Sequence, residues 1–158
     1  MVSEEQFRRV MGHFATGVTV VASRDEEGEP VGLTVNAFTS VSLDPPLVLI
    51  CIHRDADARI PLIASGHFGI SILKAEQTEL ALRFSRDDAD IRFRDLPFLA
   101  GPLGSPLLPG ALAWLQCRVE SVYPGGDHFI VVGEVTDCDD VEGEALLFFR
   151  GTLGRADL

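Results

Sequence analysis

A chain of 158 residues with a formal charge of −11 is long enough to bury one core and too short for two, so residues 1–158 are expected to form a single domain. The acidic balance, with Lys74 the single lysine and the arginines scattered, excludes a nucleic-acid partner, because phosphate backbones need clustered cations. No run approaches the ~18 apolar residues of a membrane span and no positively charged leader precedes an apolar stretch, which points to a cytoplasmic protein with no membrane partner.

Ser3-Glu4-Glu5-Gln6 has the form of a capping box, and Phe7, Val10, Met11 and Phe14 follow at helical spacing. Residues 3–14 are therefore predicted as an amphipathic helix that packs on a sheet. Val18 to Ser23 is β-branched and apolar, Asp25-Glu26-Glu27-Gly28 supplies turn chemistry, and Pro30 to Val35 resumes the extended chain, which together make a hairpin. Val41-Ser42-Leu43 runs into the rigid corner Asp44-Pro45-Pro46, after which Leu47 to Ile52 reads as a central strand. Residues 54–65 suit a short helix ending at Gly66, and His67 to Leu73 suits a strand. Glu76 to Ser85 places Leu80, Ala81 and Phe84 at helical offsets, whereas Arg86 to Asp95 is charged enough for only a solvated turn or short helix.

Pro97 to Gly110 is rich in Pro and Gly and reads as a long ordered loop or crossover within the domain. Ala113, Leu115, Cys117 and Val119 alternate with polar residues and Trp114, giving a half-buried strand through Glu120. Gly125-Gly126-Asp127 is a turn, His128 to Val135 a strand, and Ala145 to Arg150 the last strand. Six or more strands with few helices make a mainly β protein, most economically a closed or split β-barrel with Greek-key-like connections, since closure removes exposed edges. Cys51, Cys117 and Cys138 are odd in number and lack CxxC pairing, so they are expected to be reduced and mostly buried, with no metal site.

The segment Phe14-Ala15-Thr16-Gly17-Val18-Thr19-Val20-Val21, then Gly32-Leu33-Thr34-Val35-Asn36-Ala37-Phe38-Thr39-Ser40-Val41-Ser42-Leu43-Asp44-Pro45-Pro46, resembles the signature of the short-chain flavin reductase family. The likeness continues through Cys51, Ser65-Gly66-His67-Phe68, Glu76-Gln77, Leu80-Ala81 and Arg83-Phe84-Ser85. It ends in Pro124-Gly125-Gly126-Asp127-His128, Gly133-Glu134-Val135 and Phe149-Arg150-Gly151. The resemblance covers nearly the whole chain. It implies an FMN-binding split β-barrel that binds FMN or FAD at a homodimer interface, takes hydride from NADH or NADPH, and supplies reduced flavin to a separate flavin-dependent monooxygenase.

By that resemblance Thr34, Val35, Asn36 and Ala37 lie along the ribityl chain and ring of the flavin, with Ser40, Val41 and Ser42 beside the ring edge. His53, Arg54, Arg59, Arg83, Phe84 and Ser85 are the further flavin contacts it implies, and His128 helps to place the nicotinamide. An isoalloxazine ring needs an apolar slot with a few fixed hydrogen bonds, which small residues and open backbone can supply. Read without the family, the Thr/Ser-rich segment equally suits turn chemistry, and His128 a strand-start histidine bonded to its own turn. Hydride transfer needs stacking and distance more than acid–base groups, so positioning residues are expected and no catalytic triad.

One stretch departs from the family. Where hydroxyls and amides normally meet the flavin phosphate, this chain has His53-Arg54-Asp55-Ala56-Asp57-Ala58-Arg59. Two carboxylates there repel a phosphate unless they turn to solvent or pair with Arg54 and Arg59, and the expectation is weakened phosphate holding. Two other readings stay open: a barrel with tightly bound FMN that reduces another acceptor, and one that has lost flavin affinity and serves as a binding or structural subunit.

Overall fold

The computed structural model describes residues 1–156. Ser3 starts the first helix, its hydroxyl accepting from the Gln6 N–H at 3.1 Å, and α1 then runs Glu4–Met11 with Glu4 and Glu5 in its first turn and Arg8 and Arg9 in its last. This charge order suits the helix dipole. The expected packing on a sheet is not formed. None of the residues of α1 is buried, and Phe7, Val10, Met11 and the following Phe14 all lie open. Its tether is at the far end, where the Arg150 N–H donates to the Gly12 carbonyl and the His13 ring meets the edge of Phe149.

After α1 come β1 (Thr16–Gly17), β2 (Thr19–Arg24), β3 (Pro30–Val35), β4 (Phe38–Leu43), β5 (Pro46–His53) and α2 (Arg59–Ser65). They are followed by β6 (His67–Ile72), a 3₁₀ turn (Ala75–Gln77), α3 (Thr78–Arg86) and a second 3₁₀ turn (Ala89–Ile91). The chain closes with β7 (Leu99–Ala100), β8 (Pro106–Leu107), β9 (Ala113–Gly125), β10 (His128–Asp140), β11 (Leu147–Phe149) and β12 (Thr152–Gly154).

Seven strands form one antiparallel sheet in the order β3-β2-β6-β9-β10-β5-β4. Its two edge strands are β3 and β4, yet only Asn36 and Ala37 separate them in the chain. Such a link spans at most about 11 Å, so the sheet must curl until its edges meet. The Cys51 N–H donates to the Ala37 carbonyl, which carries the β4–β5 pairing up to the link itself. The result is the expected barrel, split where β3 and β4 share no ladder, with the β9–β10 hairpin inserted between β5 and β6 in Greek-key fashion. β1, β11 and β12 make a separate small sheet.

Inside the barrel Val21, Ile50, Ile52, Phe68, Ile70, Cys117 and Val131 pack together. Phe68 lies over Gly133, where an added Cβ would stand 2.6 Å from the ring. Val20 on the other face of β2, with Val18 just before the strand, packs onto Ala81 and Phe84 under α3, which is why the Val18–Ser23 run has no alternation. The strand β5 does alternate, and it is flanked on both sides by β10 and β4.

Several boundaries differ from expectation. The helix α2 begins at Arg59, because residues 54–58 make a turn pinned to the β9–β10 hairpin by the Arg54 N–H on the Asp127 carbonyl. Gly66, in the left-handed region at φ 77°, stops it as expected. The loop 97–110 contains the small β7–β8 pair and buries Ser105, Leu107 and Leu108. The strands β9 and β10 extend well past Glu120 and Val135. Of the cysteines, Cys117 is buried and its thiol pushed up to about 12 by burial, Cys51 is half-buried, and Cys138 is exposed, contrary to expectation. Among the described residues no helix is long and apolar enough to cross a membrane, and no cluster suits a metal ion.

Candidate functional site

A cavity of about 500 Å³ opens between β3, α3 and the small C-terminal sheet. Thr34 and Asn36 reach it from the end of β3, Thr78, Ala81, Leu82, Ser85 and Arg86 from α3, and Phe148, Gly151, Thr152 and Leu153 from the β11–β12 turn. The Thr34 hydroxyl donates to the Ala81 carbonyl at 2.7 Å, and that of Ser85 to Leu82 at 3.1 Å. Their protons are spent on backbone, which leaves both oxygens only an acceptor role toward anything in the cavity. Arg86 is the only charged residue among the described ones that line the cavity. In a chain with 24 acidic residues, a cavity with one cation and no carboxylate is a selective place for an anion.

Asn36 and Ala37 carry the chain from this cavity to the seam of the barrel, where β4 begins. On β4 the pairing slips between Ser40 and Ser42, leaving Val41 outside the ladder. This bulge lies on an edge strand, so backbone donors and acceptors around Ser40, Val41 and Ser42 stay open to a ligand.

At the end of β5, His53 stands opposite His128, the first residue of β10. Their rings meet edge to face with centroids 5.1 Å apart. Asp127 Oδ1 lies 2.7 Å from His128 Nδ1, and this hydrogen bond holds the Asp127 carboxyl below the usual carboxylate range. Arg54 and Arg59 do not pair with the neighbouring acids. Arg54 donates through Nε to the Gly126 carbonyl and lies 4.4 Å from the centre of the Phe129 ring, while Arg59 sits 6.0 Å from that ring and donates to the Arg54 carbonyl. Asp55 and Asp57 turn to solvent, with the Asp55 side chain 91% exposed. The weakening expected from two carboxylates against a phosphate therefore has no basis in the geometry.

The structure thus gathers Thr34, Asn36 and Ser85 in one cavity and His53, Arg54, Arg59 and His128 at one rim, with Ala37, Ser40, Val41 and Ser42 along the barrel seam. Three expected residues are committed elsewhere. The Phe84 side chain is fully buried against Phe93, and Val35 points into the barrel while its carbonyl accepts from Thr19. Arg83 binds the carbonyls of Ile91, Arg92 and Arg94 and so shapes the loop after α3. The sequence reading passed over Arg86, Thr78, Phe148 and Thr152 in the cavity and Asp127 at the rim. Arg86 adjoins the motif Arg83-Phe84-Ser85 and Asp127 lies within Pro124-Gly125-Gly126-Asp127-His128, and those positions were the available signal.

The family model described as flavin reductase like domain matches residues 11–157. A reductase subunit of a flavin-dependent monooxygenase from Rhodococcus jostii is 39% identical over 151 residues, covering 95% of this chain and 76% of that protein. An FMN reductase (NADH) from Agrobacterium fabrum is 41% identical over 153 residues, covering 97% and 86%. The NADH:FAD oxidoreductase of Streptomyces globisporus, solved in complex with NAD and FAD fragments, superposes with a TM-score of 0.90 at 42% identity and covers 99% of this chain and 96% of that one. A split barrel, matched along nearly its whole length by that model and these relatives, places the chain in the flavin reductase like family.

Proposed function

We propose that this protein uses NADH or NADPH to reduce FMN or FAD and delivers the reduced flavin to a separate flavin-dependent monooxygenase. The observation that carries the reading is the carboxylate-free cavity beside Thr34 and Asn36, with Arg86 at its wall. Its donor set fits the group. Acceptor oxygens of Thr34 and Ser85 suit ribityl hydroxyls, and a guanidinium suits a phosphate or diphosphate tail. The open backbone at the β4 bulge suits the polar edge of the ring, and Val18, Ala81, Leu82 and Phe148 give the cavity an apolar wall.

Flavin supplies the position that accepts hydride from the nicotinamide. The chain's part is to hold two planar rings in contact, which is where the rate advantage of a hydride transferase lies. His128 takes the nicotinamide side, because it stands on the rim and away from Arg86 and its cavity.

The protein acts as a homodimer. The strand β5 alternates Val48, Ile50 and Ile52 into the core with Leu47, Leu49 and Cys51 outward, and Ile130 and Val132 of β10 stand beside Cys51 and Leu49 on that outer face. A sheet apolar on both faces needs a cover on both. A second copy supplies the outer one.

Stopped-flow reduction of flavin by NADH tests the assignment of His128. His128→Ala is expected to slow hydride transfer tenfold or more, about 1.4 kcal/mol of barrier, with flavin affinity within a few-fold. Native-like reduction coupled to weakened flavin binding would move His128 out of this role.

A further inference from the structure

The rim of the barrel holds one carboxylate between two imidazoles. Asp127 Oδ1 is 2.7 Å from His128 Nδ1, and Oδ2 is 3.9 Å from His53 Nε2. An ionised carboxylate has no proton to donate, so near neutral pH His128 Nδ1 is the donor in this bond. Neutral His128 therefore carries its proton on Nδ1 and keeps a lone pair on Nε2. His53 is fixed the other way. The backbone N–H of Asp55 donates to His53 Nδ1 at 3.1 Å, which requires the lone pair there and leaves the proton on Nε2, the nitrogen facing Asp127. The rings cross at 76°, so each limits how the other can turn.

We propose that Asp127, buttressed by His53, is a positioning residue that holds His128 in the Nδ1–H tautomer, so that Nε2 serves as an acceptor for the carboxamide N–H of the nicotinamide. The proposal rests on the nicotinamide role assigned to His128 above. An acceptor at Nε2 favours the N–H side of the carboxamide over its C=O, which decides which way round that group sits. His53, with its own lone pair taken by Asp55, offers no competing acceptor.

Long-range ¹⁵N–¹H NMR of the purified protein at pH 7.5 reads the tautomers directly, with the four histidines assigned by His→Gln variants. The expected result is Nδ1–H on His128 and Nε2–H on His53, with Asp127→Ala shifting His128 toward Nε2–H. In stopped flow, Asp127→Ala should slow reduction by NADH fivefold or more and leave the flavin dissociation constant within twofold. Against the reduced 3-acetylpyridine analogue, which has no carboxamide N–H, the NADH-to-analogue rate ratio should fall by a similar factor. An Nε2–H tautomer on native His128, or an unchanged rate ratio in Asp127→Ala, overturns the proposal. Failure of the nicotinamide reading itself shows differently, as native-like reduction by His128→Ala.

Discussion

Arg86 lines the cavity between β3, α3 and the β11–β12 turn, and Asp55 and Asp57 are exposed to solvent. If the anionic tail of the flavin meets that guanidinium, Arg86→Ala should weaken FMN binding by tenfold or more, about 1.4 kcal/mol. Riboflavin, which has no phosphate, should bind native protein and variant alike. The Asp55→Ser, Asp57→Ser double variant should bind FMN within twofold of native, since exposed charges are screened by water and salt. Fluorescence-quenching titrations decide this, and a tighter double variant would return the phosphate to the segment after β5.

His67 reports at the same scale on stability. Its Nδ1 lies 2.7 Å from the hydroxyl of buried Ser105, which also accepts from buried Gln116, and burial together with the nearby Arg24 charge lowers its pKa from 6.5. The unfolded chain therefore binds this proton more readily than the folded one. The contribution of His67 is fully present above pH 6.5 and is lost as pH falls through the depressed folded value. Urea midpoints measured from pH 7.5 to 5 should fall on acidification, and His67→Gln should flatten that fall. Parallel curves for the two proteins would remove His67 from the account.

Among the elements, α1 is the plainest conflict between pattern and packing. Its spacing of Phe7, Val10 and Met11 is that of a buried helix, yet Phe7 and Val10 are each 59% exposed. An exposed apolar stripe of this kind is a surface that a partner can cover, and in the proposed homodimer the second copy would do so. Burying each Phe is worth about 1.5–3 kcal/mol, so Phe7→Ser with Phe14→Ser should raise the dimer dissociation constant by tenfold or more, read by sedimentation at several concentrations. The circular dichroism of the barrel should be unchanged. A double variant that dimerises like the native protein would leave the outer face of β5 and β10 as the sole interface.

The elements also differ in how far the sequence discloses them. Pro30–Val35 and the Gly66 stop were legible because a β-branched run between turn residues and a glycine free to take positive φ have few other uses. The far half of β10 was not, because Thr136 to Asp140 are all exposed and, Cys138 apart, polar, and no burial alternation marks them as strand. The β7–β8 pair was lost for a related reason: two-residue strands leave no period to detect.

For the whole molecule, the barrel follows from strand order and one short link, while its site follows from neither composition nor periodicity. The cavity collects residues from β3, α3 and the β11–β12 turn, segments far apart in sequence. Family resemblance singled out Thr34, Asn36 and Ser85, which the fold brings to one cavity, and Arg86 became visible there only when the fold brought these segments together. Assembly belongs to this scale as well. Light scattering should give twice the chain mass at micromolar concentration, and a mass near 17.1 kDa would leave the outer sheet face bare. The most direct test of the central claim is NADH and NADPH oxidation by the purified protein with and without added FMN and FAD, followed anaerobically at the flavin absorbance. The account predicts that at least one nucleotide is oxidised in step with bleaching of flavin, one flavin per nucleotide. Flavin left oxidised with both nucleotides, by protein that is folded and binds flavin, would contradict it.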